Sequence, residues 1–240
     1  MDEHLLKMSK IYLIPTTLSD EELLTTLPDS VGMIIQRLQY FIVEERSTAE
    51  RFLKKFHPSL EKLTFFELNE HTPPKDAEAF FNQHKSQDLG ILSEAGVPCV
   101  ADPGSEVVLL AHKNNMEVVP LVGPSSILLA LMASGLNGQN FAFNSYLPKE
   151  REERRKRIKV LEDRSFREGQ TQIFMEAPHH NQKTLEDVLA ECDPRTLLSL
   201  AVDLTSQKQR IKTCTIQEWR KKSVDIHKKP TIFLLQRKVK

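Results

Sequence analysis

Cysteine, tryptophan and long apolar runs are scarce in this chain, and each shortage closes a class of protein. The cysteines are three in 240 residues, Cys99, Cys192 and Cys214, far apart and without a C-x-x-C pair. That spacing excludes a disulfide framework or a cysteine-rich zinc site and fits a reducing, cytoplasmic setting. No run approaches the ~20 apolar residues of a membrane helix, and Met1 to Lys10 is charged without a long apolar segment, so no signal peptide is expected. The chain lacks G-x-G-x-x-G and G-x-x-x-x-G-K-[ST], which removes the Rossmann and P-loop phosphate cradles. It lacks H-E-x-x-H, and adjacent His179 and His180 cannot face one way on regular structure, so no metal site is expected. With no G-x-S-x-G either, a hydrolase elbow is missing.

Net charge is also missing, but only in the sum. Residues 1–148 hold 11 basic and 19 acidic residues, a net of −8, and residues 149–240 hold 22 and 14, a net of +8. Such a split points either to a polyanionic partner for the second half or to attraction between halves.

What is present is an alternation of short apolar runs and helical patterns. Runs at Lys10–Ile14, Tyr40–Val43, Leu63–Leu68, Leu89–Leu92 and Val118–Val122 read as strands, separated by helical stretches. Ser19 or Asp20 is placed to cap a short helix after the first strand. This alternation predicts an α/β fold with a mostly parallel N-terminal sheet. Ser134-Gly135-Leu136-Asn137-Gly138 is the expected hinge, dividing the chain into 1–136 and 137–240. The second part reads as a mixed α+β domain, with strands at 141–146, 171–175, 197–202, 210–215 and 231–236 and the last ones antiparallel. Two stretches interrupt the regular pattern. Ser93 to Gly104 packs two glycines, two prolines and two carboxylates behind a strand, and Gly123-Pro124-Ser125-Ser126 follows the next strand and opens an apolar helix. Paired bends of this kind at strand exits form a small-molecule pocket in open α/β sheets. Their small side chains and free backbone suit an adenosine-like ligand better than a bare phosphate.

These loops, in this order, resemble the tetrapyrrole methylase superfamily and, within it, the ribosomal RNA small subunit methyltransferase I family. Ser93-Glu94-Ala95-Gly96-Val97-Pro98 with Ala101-Asp102-Pro103-Gly104 is similar to that family's "SDAGTP…SDPG", and Gly123-Pro124-Ser125-Ser126 to its "PGPSA". Tyr146-Leu147-Pro148 before a basic helix resembles "FLP…ERRKR", Phe174-Met175-Glu176-Ala177-Pro178-His179 resembles "FYESPHR", and Glu70-His71 stands at the family's "EH". The likeness runs from about residue 10 to residue 204. The chain departs from the family at Ile14–Asp20, where "ATPIGNLxD" loses its Gly-Asn, and at Ala201–Ser206, where "ARELTK" loses both Arg and Glu.

The resemblance implies a two-domain tetrapyrrole-methylase-like fold with the ligand cleft between the domains, a homodimer, and S-adenosylmethionine as methyl donor. It implies RNA as acceptor, a ribose 2′-hydroxyl of small-subunit rRNA, and no metal or membrane. The donor site then comprises Pro15, Ser93, Glu94, Ala95, Gly96, Asp102, Gly123, Pro124, Ser125, Ser126, Met175 and Glu176. In-line methyl transfer needs positioning above all, worth ~7–11 kcal/mol, with a base adding ~10²–10⁴-fold. Glu70, His71, Glu94 and Asp102 are the base candidates, against a role for Glu94 and Asp102 in tying the loop or capping a helix, which at Asp102, before Pro103, is the favoured reading. Arg154, Arg155 and Arg157 are the RNA-contact candidates, against a solvated helix held by i,i+4 pairs. Gly96→Val and Gly123→Val are expected to abolish donor binding and leave the fold intact. Methylation of a porphyrin-like or other small molecule, and a non-catalytic RNA-binding paralogue, remain the alternatives.

Overall fold

A computed structural model describes residues 9–19 and 26–237; the expected cap at Asp20 lies outside them. The chain divides into two compact units, 1–124 and 125–240.

In the first unit, strands β1 (Lys10–Ile14), β2 (Tyr40–Val43), β3 (Thr64–Glu67), β4 (Leu89–Leu92) and β5 (Glu117–Pro120) form one parallel sheet in the order β3-β2-β4-β1-β5. The central strands are apolar on both faces, as strands covered on both sides must be. Phe41, Val43, Ile14 and Leu92 point to one face, where they pack with Val31 and Ile35 of helix α1 (Asp29–Ile35) and Phe52 and Leu53 of α2 (Arg46–Leu53). Ile11, Ile42, Leu89 and Ile91 point to the other and meet Phe81 of α3 (Pro74–His84) and Val107 and Ala111 of α4 (Ser105–Lys113). Pro74 sits in the first turn of α3, where a missing N–H costs nothing. Gly90 stands mid-strand because a Cβ there would lie 2.8 Å from Cδ1 of Ile14 and 3.0 Å from Cδ1 of Phe41.

The second unit begins with α5 (Ser126–Ser134). Its sheet runs β6-β7-β10-β8-β9, from β6 (Phe141–Tyr146), β7 (Thr171–Met175), β8 (Leu197–Val202), β9 (Arg210–Thr215) and β10 (Thr231–Gln236). β6 and β7 are parallel, and every other pairing is antiparallel, as expected for the last strands. Helices α6 (Arg151–Glu168) and α7 (Asn181–Glu191), with the short α8 (Ile216–Trp219), cover one face around Phe174, Phe233, Leu198 and Trp219. Helix α5 lies against β8, β9 and β10, where the Thr213 hydroxyl donates to the carbonyl of Ser134 at 2.7 Å. A division at 136/137 would detach this helix from the sheet it packs on. Among the described residues no helix is long and apolar enough to cross a membrane.

Candidate functional site

Helices α2 and α4 leave neighbouring strands β2 and β4 toward opposite faces of the first sheet. Their loops therefore part at the carboxyl edge, which is where an open α/β sheet has room for a ligand. A cavity of about 10 Å³, the room of one water molecule, opens there between Val43, Glu44, Leu68, Leu92, Ser93 and Asp102.

The loop after β4 is built by local bonds. Ser93 is buried, and its hydroxyl donates to the carbonyl of Gly96 at 2.9 Å. The same carbonyl accepts from the backbone N–H of Thr16 at 2.8 Å, which ties this loop to the one following β1. Gly96 has φ +85°, and a Cβ there would crowd Cδ2 of Leu18 at 3.1 Å and the carbonyl oxygen of Pro124 at 3.2 Å. Cys99 and Ala101 also adopt left-handed backbone, with φ of 65° and 67°, a strain that non-glycine residues seldom carry. Gly104, with φ 120°, is itself the cap of α4, and no side chain caps that helix. Asp102 therefore does not fill the capping role open to it from the sequence. The chain takes its left-handed turn two residues later, beyond that carboxyl's place.

What Asp102 does instead is electrostatic. Burial, together with the charges of Glu44 and Glu94, pushes its carboxyl up to about 7. Glu44 is raised as well, by burial and by Glu94, although the Glu94 backbone N–H donates to it. Neither Glu44 nor Asp102 has an ion-pair partner among the described residues. Folding therefore binds a proton at Asp102 more tightly than the unfolded chain does, so stability falls as pH rises from about 4 to about 7. Converted in full, the displacement corresponds to about 4 kcal/mol; with solvent screening at a partly open carboxyl, about 1–2 kcal/mol remains. Asp102→Asn is accordingly expected to stabilise the protein by about that much at pH 8 and by nothing at pH 4. Urea midpoints at the two pH values check this, and equal midpoints at pH 8 would refute it.

The other expected residues fall as follows. Pro15 and Pro124 are buried, and Ala95 is exposed on the loop tip. Gly123 faces the ring of Pro15, where a Cβ would overlap its Cβ and Cγ. Ser125 caps α5, its hydroxyl accepting from the Leu128 N–H at 3.5 Å, and Ser126 is the first helical residue. In the second unit, Met175 ends β7, and the carboxylate of Glu176 accepts from the Leu147 N–H at 3.2 Å while burial raises it above the usual range. Glu70 and His71 pair with each other at 3.5 Å on the exit of β3, with side chains 87% and 85% exposed. Among the described residues no hydrogen bond or ion pair links them to Glu44, Glu94 or Asp102.

The three arginines of α6 differ from the expectation most. Arg154 is 6% exposed and grips Asp187 through Nε at 2.9 Å and Nη2 at 2.7 Å, while its Nη1 donates to the carbonyl of Lys149 at 2.8 Å. It is a correction to the expected phosphate contact, because Arg154 shares an inward stripe with Ile158 and Leu161. Arg155 pairs with Glu191, and Arg157 donates to Asn144 at 3.1 Å. Two of the three thiols are held protonated: burial, with the charges of Glu106 and Asp102, pushes Cys99 up to about 11, and burial raises Cys192 as well.

A parallel sheet whose carboxyl edge carries glycine-bearing loops and carboxylates without ion pairs among the described residues, followed by a second, mixed sheet, defines a two-unit α/β protein. Known proteins give that class its family. The sequence profile of the tetrapyrrole (corrin/porphyrin) methylases matches residues 10–219. The chain belongs to this family, and it is a methyltransferase. It is similar to the ribosomal RNA small subunit methyltransferase I of Escherichia coli O157:H7, at 26% identity over 95% of this chain and 77% of that protein. Bacterial relatives of the same name, among them one from Pseudomonas aeruginosa, are matched over as little as 52% of their length. Among solved structures, diphthine synthase shares the fold at a TM-score of 0.65 and 13% identity, covering 95% of this chain and 90% of that one. Uroporphyrin-III C-methyl transferase from Thermus thermophilus, complexed with S-adenosyl homocysteine, has a TM-score of 0.55 at 17% identity, covering 95% and 98%.

Proposed function

We propose that this chain transfers the methyl group of S-adenosylmethionine to RNA, with a ribose 2′-hydroxyl of small-subunit rRNA as acceptor. The observation that carries the reading is the length of the likeness to proteins named for that rRNA activity, 95% of the chain in the Escherichia coli case. The donor fits the first unit on chemical grounds. Its sulfonium and ammonium are cations, and Glu44, Glu94 and Asp102 offer carboxylates that no Lys or Arg neutralises among the described residues. When bound, the donor supplies an electrophilic methyl and needs no activation by the protein.

The chain's own residues then have two tasks. Ser93, Glu94, Ala95, Gly96 and Asp102, with Pro15, Gly123, Pro124, Ser125 and Ser126, hold the donor by backbone and small side chains, and Met175 and Glu176 complete the set. Asp102, near neutrality, is the best-matched group to accept a hydroxyl proton, since a base works best with a value close to ambient pH. Glu94 is second, while Glu70 and His71 lie out in solvent. We place the protein in the cytoplasm as a homodimer.

The test is incubation with labelled donor and small-subunit particles from a strain lacking the protein, followed by mapping of the label. A single labelled ribose is the expected result. Label in a heterocyclic small molecule would instead support a porphyrin-type acceptor, and RNA retention without donor affinity a non-catalytic paralogue.

A further inference from the structure

The cations of the second unit fall into two groups with different fates. Most of those on α6 are ion-paired: Arg151 and Arg154 share Asp187, Arg155 and Lys159 share Glu191, Arg164 pairs with Glu168 and Arg167 with Asp163, while Arg157 donates to the Asn144 amide and Lys156 has no ion pair among the described residues. A second set sits on loops, and the topology gathers those loops. β6, β7 and β8 all point the same way and β9 and β10 the opposite way. The exits of β6, β7 and β8 and the entries to β9 and β10 therefore share one edge of the sheet.

Local bonds knit this edge together. The Lys228 N–H donates to the carbonyl of Pro178 at 2.9 Å, the Asp203 N–H to that of Pro230 at 2.9 Å, and the Ile226 N–H to the side chain of Gln182 at 3.2 Å. Lys149, His179, Lys183, Lys208 and Lys228 are all exposed here, and none is ion-paired among the described residues. His179 stacks edge-on with His180 at 4.2 Å, and burial, with the charges of His179, Lys183, Arg154 and Lys149, holds His180 below its ordinary value. Two carboxylates of this edge are already engaged. Glu176 is buried against Leu147, and Asp225 is taken up by Lys229 at 2.8 Å, which leaves Glu150, Asp203 and, in the first turn of α6, Glu152 and Glu153.

We propose that this edge, with Lys149, His179, Lys183 and Lys228 as its points of contact, is the surface that receives the phosphate backbone of the RNA acceptor, and that α6 is not. The inference rests on the RNA reading above. Its charges are spaced along separate loops, so they meet successive phosphates instead of one anion, and they release counterions on binding.

The experiment measures binding of small-subunit rRNA to the full chain as a function of salt, in wild type and in two triple variants. Lys149→Ala/Lys183→Ala/Lys228→Ala is expected to weaken binding at least about tenfold at low salt. Its log K against log salt is expected to be shallower by about two, since each single-strand phosphate that a lysine no longer neutralises takes ~0.7 from the slope. Affinity for S-adenosyl homocysteine should be unchanged in that variant, which shows the site and fold to be intact. Arg164→Ala/Arg167→Ala/Lys159→Ala removes as much charge from α6 and should keep the wild-type slope. A wild-type slope in the loop variant, or a loss confined to the helix variant, overturns the proposal while methyl transfer to rRNA continues. A wild type that binds no rRNA overturns the functional reading itself, and with it this surface.

Discussion

Asp187→Ala is expected to destabilise the second unit by about 3–5 kcal/mol, seen as an early loss of structure in chemical denaturation. The carboxylate is 2% exposed, and it receives two bonds from Arg154 and one from Arg151 at 3.1 Å. Arg151 is 67% exposed and returns to water when its partner goes. Arg154 cannot, because it is held under α6 beside Ile158 and Leu161. Truncating one member of a buried pair leaves the other charge in the interior, which is why the cost exceeds what the pair itself contributes. Arg154→Met/Asp187→Leu should therefore recover much of the loss, since apolar replacements of similar volume often match a buried pair. A single variant within about 1 kcal/mol of wild type would show that Arg154 finds other partners.

Gly123→Val carries the second large effect, and here the structure reverses the sequence expectation that the fold would survive. Any Cβ at this position overlaps Cβ and Cγ of Pro15 and comes to 3.2 Å from Cδ2 of Leu27. Pro15 is buried and its ring cannot rotate aside, so the loops after β1 and β5 must separate. Overpacking of this kind costs about 1–3 kcal/mol where side chains can adjust, and the upper end or beyond applies to a ring against backbone. The expected outcome is a lowered thermal midpoint together with lost donor affinity. Gly96→Val is less severe sterically but strained by its φ of +85°. If the Gly123→Val variant melts with wild type, the packing of Pro15 against residue 123 is not as described. Loss of donor binding in either variant is thus no proof of a direct ligand contact. Asp102→Asn separates the two causes, because it adds no volume.

Much of the first sheet was legible because its strands are short apolar runs closed by polar loops, and Tyr40–Val43 and Leu89–Leu92 begin and end where the pattern does. The same holds for Thr171–Met175 and Leu197–Val202. Thr215 and Glu218 form a capping box, so the opening of α8 is also written in the residues, although strand patterning alone passes over it. The bends after β4 were legible as turns, from Gly96 and Gly104 in particular. Their role in the site was harder to read. A carboxylate before a proline and a glycine looks like a helix cap, and only the fold shows that Glu44 and Glu94 stand beside Asp102. Arg154 misled for a related reason. In a run of seven basic residues among eleven, one more arginine looks solvated, yet its place four residues before Ile158 puts it on the inward stripe. Charge composition gave the sign of the second half correctly, and tertiary pairing decided which of those charges remain available.

The grip of Arg154 has a mechanical side. Through Nε and Nη2 it fastens α6 to α7, and through Nη1 it clasps the carbonyl ahead of α6, so the segment bearing Lys149 and the helix bearing Lys183 are riveted to a common post. A comb with fixed teeth surrenders little freedom when it meets its target. Where this edge receives RNA as proposed, discrimination falls to the contour of the nucleic acid, which must present its phosphates at the spacing the comb already has.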